Sequence, residues 1–221
     1  DNDMTVRQIP PRRRSSDRAI LTEIMPLPAL DSPKWQSFPR AFAWGMRSVG
    51  STVLALVLFA TYLGIGALAH DSRFSLGWVL ASTALVWAGP AQIILISTLG
   101  SGATAVQAAI AVTVSAIRLF PMVVSVLPLL RAPNTRRRHL ILPAHFIAVT
   151  LWVECYRLLP QVPRERRVVF TTGLGCGLVL VCLTATTVGY TLAANLPPAL
   201  AAAILLLTPL AFLLSTARNA K

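Results

Sequence analysis

The sharpest chemical feature of this 221-residue chain is the run Trp87-Ala88-Gly89-Pro90-Ala91-Gln92. Its small residues admit close backbone approach. Gly-Pro opens a helix, because proline lacks an amide donor and fits the first turn, where that donor is not needed. A first turn leaves unpaired N–H groups and partial positive charge, which suit a carboxylate. Gln92 adds a donor and an acceptor just past the break. Gly89, Pro90, Ala91 and Gln92 are therefore candidate substrate-binding residues. The plainer alternative is a kink in which a neighbouring helix satisfies Gln92.

Arg118 is the second candidate, deep in an apolar stretch and followed by Pro121. An arginine at membrane depth is costly and normally faces the bundle interior or water. Two partners suit it: a substrate carboxylate, or Glu154, the only acid in an apolar segment. His145 and Glu154 are candidate coupling residues, since imidazole titrates near neutral pH and a buried carboxylate can carry a proton. Glu154 also has Arg157 three residues on, the spacing of an ordinary helix pair.

Catalytic and metal motifs are lacking. No GxSxG or HExxH occurs, so neither a nucleophile elbow nor a zinc protease is indicated. Cys155, Cys176 and Cys182 all lie in apolar stretches without a CxxC, and no metal site or cofactor is expected. Gly173, Gly175 and Gly177 form GLGCG, but no strand precedes them. Close helix packing explains them better than a dinucleotide.

The elements that must carry these residues are membrane helices. The chain is 55% apolar and only 13% charged, with mean hydropathy +0.65, whereas soluble domains run at about 25% charged. Six apolar segments, 50–69, 76–99, 103–130, 140–159, 168–190 and 196–214, contain three charged side chains, Arg118, Glu154 and Arg157. A bilayer crossing takes ~20 helical residues, and no period-2 alternation suggests a barrel. The expected fold is all-α: a polytopic membrane helix bundle with one or two broken or re-entrant helices. Residues 1–34, with Arg12-Arg13-Arg14 and several prolines, are expected to be a disordered basic tail. Residues 35–49, carrying Phe38 and Phe42 among basic residues, read as an interfacial helix. The bundle then covers 50–214, and 215–221 forms a short tail.

Charge also bears on topology. The net charge is +12, but no stretch interleaves basic and aromatic residues as a nucleic-acid surface would. The arginines flank apolar spans and fit the positive-inside rule. The connections 131–139 and 160–167 are both basic. Six simple crossings would put them on opposite sides, whereas re-entrant 76–99 and 140–159 would put both inside.

The stretch 84–128 resembles the AzlC family, the large subunits of branched-chain amino-acid exporters. WAGPAQI (87–93), LGSGAT (99–104) and SAIRLFPM (115–122) stand in that family's order and at similar spacing. The resemblance extends over roughly 42–214. Four departures accompany it. Pro90 and Ala91 replace an Ala-Ser pair, and Ala116 replaces the asparagine two residues before the arginine. Ala144-His145 falls where an Asp-Glu pair is usual, and Ala60-Thr61 replaces a Pro-Phe-Gly stretch. The resemblance implies a multi-pass protein of the cell (inner) membrane that exports branched-chain or other hydrophobic amino acids. It also implies a small AzlD-like membrane subunit as partner, and a further terminal span past Lys221. The competing reading is a membrane scaffold or assembly subunit that transports nothing.

Overall fold

In the computed structural model, residues 27–133 and 135–195 are described. Most of the expected N-terminal tail, the sixth apolar segment and the C-terminal tail lie outside them. Among the described residues the regular structure is entirely helical: α1 (Phe38–Ser48), α2 (Val53–Asp71), α3 (Leu76–Leu85), α4 (Gly89–Gly100), α5 (Ala105–Ala116), α6 (Leu119–Leu130), α7 (Ile141–Phe146), α8 (Val149–Leu158) and α9 (Arg167–Asn195). The expectation of an all-α membrane bundle with broken helices is met. α2 and the stretch Arg164–Asn195 are each long and apolar enough to cross a bilayer.

Local chemistry sets the boundaries. Thr52 caps α2 by accepting from the amide of Leu54, and Ser75 caps α3 by accepting from Trp78. Thr104 and Gln107 form a reciprocal capping box at the start of α5. A bend of 50° separates α5 from α6. Pro121 explains it, because it has no N–H to donate to the carbonyl of Ile117. α2 ends at a turn in which Arg73 takes a left-handed φ of 60°.

Contacts between elements fix the directions of the chain. α1 and α2 run alongside α9, with Gly173 against the backbone of Phe42, Gly66 against Thr186 and Gly189 against Leu63. At these glycines an added Cβ would collide with backbone, so glycine is what permits the approach. Lipid supplies little hydrophobic drive between helices, and close packing of this kind holds such bundles together. GLGCG is thus a packing motif: Gly175 meets the Phe146 ring and Gly177 meets Val49 and Met46.

One end of the bundle is basic. There Arg166 donates to the Gln36 carbonyl, and Arg167 ties the end of α6, next to the first basic connection, to the second by donating to the carbonyls of Leu129 and Val162. Both basic connections therefore sit at the same end. At the opposite end Tyr190 donates to the Phe74 carbonyl, and Gly100 packs on Ser72 and Phe74.

That last contact shows how 76–100 runs. α3 leaves the Phe74 turn, the chain breaks at Val86–Ala88, and α4 returns to the same end. α5 and α6 then cross to the basic end. From there α7 rises, and a bend of 119° between the Arg137–Phe146 and Val149–Gln161 stretches sends α8 back. Both segments expected to be re-entrant are hairpins of half-helices. The order is α1 and the span α2 followed by a hairpin from one end, then a bent span (α5–α6) followed by a hairpin from the other.

Candidate functional site

The tips of the two hairpins touch. His145, whose side chain is exposed, places Nε2 3.1 Å from the Ala84 carbonyl oxygen. The buried Trp87 and Phe146 rings pack edge to face with centroids 6.3 Å apart.

The Gly89–Gln92 break forms as expected, with a shift in detail. Val86 and Ala88 carry the non-helical geometry, and Pro90 occupies the first turn of α4. Ala88 offers no side-chain cap. The amides of Gly89 and Ala91 fall where a helix has no internal acceptor. Gly89 faces the middle of α2, where an added Cβ would touch Thr61, Ile65 and the Tyr62 ring.

Gln92 is fully buried and reaches back across the break. Its Nε2 donates to Ser82 Oγ at 3.0 Å and to Thr83 Oγ1 at 2.7 Å. Both hydroxyls donate onward to the Val79 carbonyl. This leaves Gln92 Oε1 without a partner among the described residues, as are the Tyr62 hydroxyl and Trp87 Nε1. A buried polar atom left unpaired costs about 1–3 kcal/mol. Of these residues, Gln92 lies in the first turn of α4 and the Tyr62 ring packs beside Gly89.

The other predicted residues are not brought to this point. Arg118 sits at the α5–α6 bend with its side chain exposed. It is thus not buried among the described helices, and its place at the bend leaves it open to contact from outside them. An Arg118–Glu154 pair does not form either. Glu154 is 2% exposed, accepts from Thr52 Oγ1 at 2.6 Å and from Arg157 Nε at 2.8 Å, and pairs with Arg157 Nη2. The carboxylate thus ties α8 to the cap of α2, and the local helix pair is the arrangement observed.

Sequence reading missed Tyr62, Ser82, Thr83 and Thr52. Ser82-Thr83 was legible as a polar pair one turn before the break. Tyr62 had no local signal, because one tyrosine in an apolar helix gains significance only from what packs on it.

No curated protein and no solved structure matches the chain. A family model described as AzlC protein matches residues 53–196, well over half of the sequence and all of the elements from α2 to α9. Taken with the paired half-helices at mid-bundle, that match makes the chain a member of the AzlC family of transport-associated membrane proteins.

Proposed function

We propose that this chain is the large subunit of a secondary exporter in the cell (inner) membrane, and that it moves branched-chain or other hydrophobic amino acids. The observation that carries the reading is the uncapped start of α4, where Gly89, Ala91 and Gln92 are buried and Gln92 Oε1 has no partner among the described residues. An amino-acid zwitterion complements it. The carboxylate accepts from the amides of Gly89 and Ala91, favoured by the helix dipole. The ammonium donates to Gln92 Oε1. Pro90 holds the first turn without competing for the carboxylate, and the Tyr62 and Trp87 rings flank the substrate's apolar part. Such half-helix sites at inverted hairpins are a recurring transporter design.

The remaining candidates take other roles in this proposal. His145 joins the two tips and is the candidate coupling residue. Glu154 anchors the second hairpin. Arg118, exposed midway along the bent span, is presented to the small AzlD-like subunit, whose polar groups would meet the cost of a charge at that depth.

The test is efflux of radiolabelled leucine from loaded proteoliposomes, with and without the small subunit. Saturable efflux of leucine, valine and isoleucine, but not of lysine or glutamate, is the expected result. No efflux from correctly folded complex would favour the scaffold reading.

A further inference from the structure

A recess lies at the basic end, away from the hairpin tips. It is a cavity of about 760 Å³ with Phe38, Phe42, Leu142 and Val169 among its walls and Arg138 and His139 on its rim. Two of the wall residues stand at the mouth with much of their surface uncovered, Phe38 at 60% and Leu142 at 50%. The cavity therefore opens beside apolar surface. In a membrane protein such surface meets acyl chains.

Charge narrows the choice of occupant. Arg136 and Arg137 precede Arg138, and Arg164 and Arg166 flank Glu165, the one acid lining the cavity. Arg166 is committed elsewhere: it donates to the Gln36 carbonyl at 2.7 Å and lies 4.2 Å over the Phe38 ring. Those contacts brace the wall and leave Arg138 and His139 to face a ligand. Among the described residues Arg138 makes no ion pair. An apolar recess with a basic rim, between helices and at the end that the positive-inside rule places in the cytoplasm, matches a lipid with a negative headgroup.

We propose that this cavity binds an anionic phospholipid, with the headgroup phosphate on Arg138 and His139 and an acyl chain against Phe42, Leu142 and Val169. The site is independent of the amino-acid site. It would fasten α1, α7 and the first turns of α9 to one another through the lipid.

The test uses the purified full chain in detergent, with phosphatidylglycerol and phosphatidylcholine of identical acyl chains added in turn. Native mass spectrometry counts bound lipid, and thermal unfolding reads the stabilisation. Phosphatidylglycerol is expected to bind at least tenfold more tightly. Arg138→Gln with His139→Gln should remove that preference, since a charge-assisted phosphate contact is worth about tenfold or more. Arg73→Gln, at the opposite end, should leave it unchanged. Glu165→Gln should strengthen it, and this arm serves if the double variant fails to fold. Equal binding of the two lipids, or a preference untouched by both rim changes, would overturn the proposal. So would competition by glycerol phosphate at the affinity of the intact lipid, which would mark a simple anion site. Displacement of the lipid by leucine would instead make the cavity a substrate vestibule and overturn the assignment.

Discussion

Replacing Gln92 with leucine separates a structural role from a binding role. The side chains are similar in size, so the core around Ser82 and Thr83 stays filled. The change removes two hydrogen bonds from Nε2. Interhelical hydrogen bonds in membranes average about 0.6 kcal/mol and reach about 1.7. These losses of about 1 kcal/mol, at most ~3, are offset by removal of the unpartnered Oε1, worth about 1–3 kcal/mol, so stability should change by no more than about 2 kcal/mol in either direction. Ser82 and Thr83 keep their bonds to the Val79 carbonyl, so neither hydroxyl proton is orphaned. Transport should suffer more. If Oε1 accepts from the substrate ammonium, a charge-assisted bond worth about 1.5–3 kcal/mol is lost. At 1.4 kcal/mol per decade this is a ~10- to 150-fold drop in transport efficiency. Ser82→Ala is the matching control, because it removes one partner of Nε2 and leaves Oε1 untouched. Its transport should stay within about threefold of the parent at a similar small stability cost. The assay is initial-rate leucine efflux from proteoliposomes, normalised to folded protein. If Gln92→Leu transports within threefold of the parent, or if both variants lose transport alike, Gln92 is structural and the zwitterion site at α4 is wrong.

Three further outcomes are expected. Arg157→Ala should cost about 3–5 kcal/mol, because it strands the buried Glu154 carboxylate, while Arg157→Leu combined with Glu154→Gln should recover most of that in detergent unfolding. Gly189→Ala should destabilise by ~1–3 kcal/mol or more, since its methyl group would strike the Leu63 backbone, whereas Gly77→Ala in α3, with open space around it, should be neutral or up to about 1 kcal/mol stabilising. Single cysteines at Ala132 and Pro163 should label from one side of the membrane and at Ser101 from the other; labelling of 132 and 163 from opposite sides would remove the second hairpin.

Composition and charge spacing alone were enough to establish a helical membrane bundle, because ~20-residue apolar runs with arginine at their ends have few other solutions. The excess of arginine in both 131–139 and 160–167 already favoured a turn back within the intervening segment 140–159. Gly89-Pro90 located a break in the first hairpin for a local reason: proline cannot donate within a helix, wherever the helix lies. What the chain's order could not convey was which faces meet. Arg118 looked like an interior charge because its depth is a one-dimensional property. Its direction depends on the rotation of α5 and α6 about the Pro121 bend, which neighbouring helices decide. Glu154 had Arg157 as a visible partner three residues away, but Thr52 lies 102 positions from it, and only the return of α8 to the basic end brings the two together. Tyr62 joins the α4 site for the same reason. Helix periodicity determines the face on which a side chain lies, and packing between helices alone determines what that face touches.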